Sequence, residues 1–295
     1  MVKTLITGAN GFLGYYMVKW LLDHGHDVIA TGKGECRLPF EGTKGFTYAS
    51  MDITDPYEVH DVFAAYSPKI VIHAAAMTKP DDCEQDQWQA YVTNVEATIT
   101  MLINAEEQDA YFIFLSTDFV FDGEKGMYEE NDTPSPVNYY GRTKLEAEEA
   151  VREYPGDWAI ARTVLVYGKP QMGRQNILTV VKDKLEKGET YSVVDDQFRT
   201  PTYVEDLAGG IGLLIENSAT GVYHISGDEL MTPYQMARAV ARHLKLDEEL
   251  IKRVTAADFT QPARRPRKTG FNISRIKQLG FSPLSFAEGL SATFK

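Results

Sequence analysis

The residues best suited to chemistry lie between Ile113 and Lys144. Ile113, Phe114 and Leu115 are apolar and run into two hydroxyls, Ser116 and Thr117. That pattern reads as a buried parallel strand with polar groups at its carboxyl end. Downstream, Tyr140 and Lys144 fall in a stretch read as helix, supported by Glu146, Ala147, Glu148, Glu149 and Ala150. Four apart, they share a helix face, roughly 5–6 Å from each other at Cβ. A strand-tip hydroxyl with a phenol beside an ammonium is chemistry for passing a proton to or from an oxygen. A phenol titrates near pH ~10 and a neighbouring cation favours its ionised form. Tyr140 is therefore the candidate general acid, Lys144 is expected to lower its pKa, and Thr117 is placed to hold the same substrate oxygen.

The spacing alone is weak. With 16 tyrosines, one Tyr-x-x-x-Lys is expected on the order of once by chance, and Tyr15 with Lys19 supplies such a decoy. Only Tyr140 and Lys144 follow a strand that ends in hydroxyls. The elements around them add the rest. Val2 to Thr7 reads as a strand, Gly8-Ala9-Asn10-Gly11-Phe12-Leu13-Gly14 as a turn, and Tyr15 to His24 as a helix. Strand, glycine turn and helix in that order suit a dinucleotide pyrophosphate, because glycines permit close backbone approach and a helix amino end attracts an anion. The spacing G-x-x-G-x-x-G is a variant of the usual fingerprint.

Asp27 to Thr31 is the expected second strand, and the residues after it select the cofactor. No acid stands at its tip; Lys33 and Arg37 do, which favours NADPH, while Glu35 leaves NADH open. Phe46 to Met51 leads to Asp52 and Ile53 at the adenine edge. Tyr57 to Tyr66 reads as helix. Ile70 to His73 ends in Ala74, Ala75 and Ala76, small enough to let a cofactor lie against the strand ends. Trp88 to Glu107 reads as one long helix carrying Asn94, a polar residue expected to be satisfied in the core. Trp158 to Tyr167 is a sixth strand that brings Val164 near the nicotinamide, and Gly168 to Gly173 breaks the regularity. Helices follow at Asn176–Lys187, through Glu216 and at Pro233–Leu244, with a strand at Val222–Ser226.

Strand and helix alternate throughout, so the expected fold is α/β: a Rossmann-type doubly wound parallel sheet with a smaller C-terminal substrate-binding lobe. Residues 1–168, with 201–225 returning, form the dinucleotide-binding part; 169–200 and 226–295 form the lobe. Arg264, Arg265, Arg267 and Lys268 read either as a site for a substrate diphosphate or as a solvated cluster.

A net charge of −12 argues against nucleic acid and anionic membrane as partners. Two cysteines, Cys36 and Cys83, are too few for a disulfide framework or a zinc site, and no metal site is expected. No stretch approaches the ~20 apolar residues of a membrane span, and the start is not a signal peptide, so a cytoplasmic protein is expected.

With these residues in place the chain resembles the extended short-chain dehydrogenase/reductases. The matching motifs are Thr7-Gly8-x-x-Gly11-x-x-Gly14, Asp52-Ile53, Ala74-Ala75-Ala76, Thr117 and Tyr140-x-x-x-Lys144. Ser116-Thr117-Asp118-Phe119-Val120-Phe121-Asp122-Gly123, Tyr139 to Lys144 and Arg265-Pro266 are similar to the dTDP-4-dehydrorhamnose reductase branch. The resemblance implies hydride transfer to the C4 ketone of a nucleotide-linked sugar in dTDP-rhamnose biosynthesis. Tyr140 supplies the proton, Lys144 holds the nicotinamide ribose, and Thr117 binds the carbonyl oxygen. Thr117, Asp118, Phe119 and Leu165 face the sugar, and a homodimer is left open.

The chain departs from the branch in two places. Phe119 stands where it usually has Tyr, and Val164-Leu165 where it often has Ser-Trp, so the sugar-pocket wall differs. The regulatory β subunit of methionine adenosyltransferase, a relative with a similar aliphatic strand there, leaves a cofactor-binding, non-enzymatic role as an alternative. Nucleotide-sugar epimerisation is another. A dehydratase is disfavoured, because such enzymes carry Glu after the strand-tip Thr-Asp and here Phe119 follows Asp118.

Overall fold

In the computed structural model, which describes residues 2–172 and 175–295, apolar residues alternate between two helical layers on either side of one sheet. Leu5, Ile29, Val71, Phe112 and Ile160 face one layer; Ile6, Val28, Ala30, Ile72, Ile113 and Ala161 face the other. The period of two, apolar on both sides, is what a parallel sheet covered on both faces demands.

The strands are β1 (Lys3–Thr7), β2 (Asp27–Gly32), β3 (Phe46–Ser50), β4 (Ile70–His73), β5 (Tyr111–Thr117), β6 (Trp158–Thr163), β7 (Val166–Tyr167), β8 (Tyr191–Val194), β9 (Thr202–Tyr203), β10 (Gly221–His224) and β11 (Ile251–Val254). Seven of them form an all-parallel sheet in the order β10-β6-β5-β4-β1-β2-β3; β8 pairs with β11 and β7 with β9. The helices are α1 (Phe12–Asp23), α2 (Pro56–Tyr66), α3 (Pro80–Gln85), α4 (Gln87–Tyr91), α5 (Ala97–Glu107), α6 (Tyr139–Arg152), α7 (Ile177–Glu186), α8 (Val204–Glu216), α9 (Pro233–Leu244), α10 (Ser274–Lys277) and α11 (Phe286–Thr293). Strand order reverses between β1 and β4, and ligands of such sheets bind at the crevice there.

Three expectations need correction. The long helix from Trp88 is interrupted by a π turn at Val92–Glu96, and α3 precedes it. π turns occur mostly as single insertions, often at functional sites. Here the turn carries Asn94, which bonds the Met77 amide (2.8 Å) and carbonyl (3.1 Å) and Thr143 Oγ1 (2.9 Å). The sixth strand stops at Thr163, because Thr202 takes over the pairing: its hydroxyl donates to the Val164 carbonyl (2.6 Å) and its amide to that of Leu165. Leu165 then turns with φ 34°. Helix α1 starts at Phe12, earlier than Tyr15, since Gly11 already serves as its N-cap. Of the irregular stretch Gly168–Gly173, Gly173 lies outside the described residues. Among the described residues no helix is long and apolar enough to cross a membrane.

Half-buried Asp206 on α8 gives a pH dependence. Burial, then repulsion from Glu205 and Glu288, push its carboxyl up to about 6, against the pull of the Leu284 amide. The folded state therefore binds this proton more tightly than the unfolded chain. The stabilisation is complete below about pH 4 and is lost as pH rises through about 6. Asp206→Asn is expected to be more stable than the parent at pH 7, by roughly 1 kcal/mol after discounting for solvent screening. The gap should close toward pH 4 in thermal melts; a pH-independent gap would contradict the assignment.

Candidate active site

The glycine turn and the β4 tip are built against each other. Gly8 has φ +70°, and a Cβ there would sit 3.1 Å from the Ala75 backbone. At Gly14 a Cβ would fall 2.3 Å from the Gly8 carbonyl oxygen, so only glycine lets α1 start this close to β1. Thr7 Oγ1 accepts from the Ala74 (3.1 Å) and Ala75 (3.0 Å) amides and donates to His73 Nδ1 (2.9 Å). Burial, then Lys144, push His73 down to about 3, so the ring is neutral, its Nε2 directed at Thr98 (3.2 Å). Gly11 caps α1 without any side-chain hydrogen bond, which leaves the first-turn amides for an anion. Gly14→Ala is expected to cost about 1–3 kcal/mol of stability and at least roughly tenfold in dinucleotide affinity (about 1.4 kcal/mol), read by denaturant unfolding and by titration; unaltered affinity would disconnect the turn from the cofactor.

Beyond the β4 and β5 tips lies a cleft of about 410 Å³. Its lining brings together Ala74, Ala76, Thr117, Asp118, Phe119, Tyr140, Lys144 and Leu165. Residues from three strand ends and one helix, up to 91 positions apart by number, thus share one wall. Helix α6 owes its start to Asn138, whose Oδ1 accepts from the Gly141 amide (2.8 Å).

Other candidates sit elsewhere. Val164 is wholly buried in the core and does not line the cleft, and Ile53 is buried beside α2. Phe12 and Leu13 pack on the core. Asn10 is a strut: it donates to the Glu35 carbonyl (3.0 Å) and Tyr48 Oη (2.8 Å) and accepts from the Arg37 amide (3.0 Å). Lys33 and Asp52 pair with each other at 2.7 Å. Burial raises the Asp52 carboxyl, but the Lys33 and Thr54 hydrogen bonds outweigh it and hold the group below its usual range. A second, more open hollow of about 750 Å³ lies beside them, lined by Gly34, Glu35 and Tyr48 among others.

The expected effect of Lys144 on Tyr140 is not what the geometry gives. Burial pushes the phenol well above its ordinary value; Thr117 opposes this, and Asp118 and Cys83 add to it. The Lys144 ammonium instead donates to the Leu115 carbonyl (2.7 Å) and sits 3.8 Å from the Phe114 ring centroid. Burial brings Lys144 itself down to about 7, against the pull of Glu148 and Cys83. Tyr140, packed edge-on to Phe119 with centroids 5.8 Å apart, therefore keeps its proton at neutral pH, the state a proton donor needs.

Arg199 was not anticipated. It is 4% exposed and lines the cleft, its Nε 3.6 Å from Asp118, and donates to the carbonyls of Pro266 (2.7 Å), Phe198 (2.8 Å) and Arg267 (3.1 Å). Asp118, raised by burial and lowered by Arg199, also accepts from Thr269 and Thr117. The only signal in the sequence was an arginine inside Gln197-Phe198-Arg199-Thr200-Pro201. The later arginines are not in the cleft: Arg265 is taken by Asp81 (2.5 and 2.6 Å), and exposed Arg264 stands 3.9 Å from Glu124.

Against known proteins, the model of the family described as RmlD substrate binding domain matches residues 2–295. The chain belongs to this family. An RmlD-type relative, the dTDP-4-dehydrorhamnose reductase of Bacillus anthracis solved in complex with NADP, superposes with a TM-score of 0.88 at 30% identity, covering 100% of this chain and 99% of that one. Methionine adenosyltransferase 2 subunit beta of Bos taurus is 32% identical over 94% of this chain and 82% of its own length. The protein described as a probable low-salt glycan biosynthesis reductase, Agl14, of Haloferax volcanii is 33% identical over 97% and 95%. The RmlD-type fold here thus has the architecture of a dTDP-4-dehydrorhamnose reductase, sheet and C-terminal segments included.

Proposed function

We propose that this chain is an NADPH-dependent reductase of a nucleotide-linked 4-keto sugar, acting as dTDP-4-dehydrorhamnose reductases do. The observation that carries the reading is the meeting of Thr117, Tyr140 and Lys144 in one cleft with Ala74 and Ala76, beside the Gly8–Gly14 turn. Relatives with a reductase name and one solved with NADP support it. Residues 1–168 with 201–225 form the dinucleotide-binding part on this reading, since the large sheet draws every strand from them; 169–200 and 226–295, with the β8–β11 pair, form the substrate lobe.

The glycine turn and the uncapped amides of α1 fit a pyrophosphate. Lys33 is the residue for a 2′-phosphate, and opening its largely exposed pair with Asp52 costs only about 0–1 kcal/mol. Bound NADPH supplies the hydride. Tyr140 gives its phenolic proton to the ketone oxygen and regains one from solvent, Thr117 holds that oxygen in place, and Lys144 binds the nicotinamide ribose. Asp118, Phe119 and Leu165 form the sugar-side wall. The smaller aliphatic Leu165 suits a sugar that needs no stacking indole.

The test is cofactor consumption by the purified protein over a panel of nucleotide-linked 4-keto sugars. NADPH oxidation that starts only with added ketone, and runs faster than with NADH, is expected. Tight NADPH binding with no turnover on any ketone would overturn the reading. That outcome, joined to co-purification of a second enzyme, would favour a cofactor-binding subunit, the role for which the likeness to methionine adenosyltransferase 2 subunit beta speaks.

A further inference from the structure

Thr117 can hold a ketone oxygen only if its own oxygen stands at the cleft wall, and two hydrogen bonds decide where it stands. The hydroxyl donates to Asp118 Oδ1 (3.1 Å) and accepts from the Phe119 amide (3.2 Å). That amide belongs to a 3₁₀ turn, Asp118–Val120, which starts where β5 ends, so the backbone fixes it. The carboxylate needs another restraint. Asp118 lines the cleft, where a free carboxylate at a strand tip would turn toward water, yet it is only 4% exposed.

The restraint comes from far along the chain. Thr269, wholly buried, donates from Oγ1 to Asp118 Oδ2, and Arg199 Nε stands 3.6 Å from the same oxygen. The segments that carry these two residues interlock. The Phe198 amide donates to the Arg267 carbonyl (2.6 Å), and the Thr269 amide to the Phe198 carbonyl (3.1 Å). Lys268 is tied to the Gly123 carbonyl (2.9 Å), and Arg199 exchanges backbone bonds with Met231 (2.9 and 2.8 Å). Across this junction the two Nη groups of Arg199 reach the carbonyls of Phe198, Pro266 and Arg267. A planar fork of donors can span several acceptors at once, which a single ammonium cannot. One carboxylate therefore joins Thr117, through Oδ1, to a brace built from two distant segments, through Oδ2.

We propose that Thr269 and Arg199 are positioning residues for Thr117: they hold the Asp118 carboxylate so that its other oxygen sets the Thr117 hydroxyl at the β5 tip. The proposal rests on the reductase reading only for the use made of that hydroxyl. The rotamer is set before a ketone arrives, so it need not be ordered during binding.

The experiment reads the Thr117 rotamer by NMR, from the three-bond couplings of its methyl carbon to the backbone nitrogen and carbonyl carbon. The protein is ¹³C,¹⁵N-labelled, and Thr117→Ser assigns the signal. The parent should show a single rotamer. Thr269→Val keeps the buried shape and removes the donor, and its couplings should become averaged. In ketone reduction its kcat should fall by roughly tenfold, with KM for the ketone within about threefold of the parent. Thr269→Ser should restore both. Parent-like couplings in folded Thr269→Val, or averaged couplings with an undiminished kcat, would overturn the proposal. Should Thr269→Val fail to fold, Arg199→Lys keeps a cation but loses the fork; the same averaging is expected, and unmoved couplings are again contrary. Averaged couplings in variants of a parent that reduces no ketone would sink the reductase reading and leave the positioning standing. An active enzyme whose Thr117 keeps one rotamer in both variants would do the reverse.

Discussion

Tyr140→Phe is expected to lower kcat for ketone reduction by roughly 10²–10⁴-fold, the usual worth of a positioned general acid. NADPH affinity should change by no more than about threefold. The reasoning is geometric. The ring is buried against Phe119, Cys83 and Ala90, so Phe fills the same volume and only the hydroxyl is lost. Burial holds that hydroxyl protonated; Thr117, an alcohol and a weaker acid than a phenol, can turn its hydrogen to the ketone oxygen but not protonate it, and the Lys144 ammonium is turned to the Leu115 carbonyl (2.7 Å). Rapid-mixing turnover with a saturating 4-keto sugar nucleotide reads the effect. Undiminished kcat would take Tyr140 out of the chemistry.

Arg162→Met is expected to have the largest effect on stability, about 3–5 kcal/mol, because it strands a buried carboxylate. Glu148 and Arg162 are both wholly buried, and their two hydrogen bonds lie between α6 and β6. In contrast, removing Lys184 from its 2.5 Å pair with Glu189, where both side chains are more than two-fifths exposed, should change stability by only about 0–1 kcal/mol. Urea unfolding of the two variants measures the difference directly, and near-equal midpoints would show that the buried pair is dispensable. Because the pair also underlies Ser116, next to Thr117, the loss should extend to the cleft.

What could be read from the sequence was local in origin. The β1–glycine turn–α1 unit follows from short-range sterics: only glycine tolerates the approach at positions 8 and 14. The Tyr140–Lys144 face follows from helix periodicity and an Asn138 cap. The alternation of strands with helices set the parallel sheet. What stayed hidden depended on partners far along the chain. β6 ends where it does because Thr202, 38 residues beyond Val164, captures its carbonyl. Arg265 is paired with Asp81, 184 residues earlier. Arg199 enters the cleft wall through carbonyls of residues 266 and 267. Lys144 was expected to depress the phenol of Tyr140, but helix spacing says nothing of desolvation, which outweighs the other influences on both groups once they are buried.

Isotope transfer tests the central claim most directly. The protein is given NADPH deuterated at the transferable C4 position and a nucleotide-linked 4-keto sugar, and the product is examined by mass and NMR spectrometry. The account predicts one deuterium on the former ketone carbon for each NADP⁺ formed, and loss of this transfer in Tyr140→Phe. Deuterium that stays on the nucleotide, or a sugar altered without net NADP⁺, would contradict it.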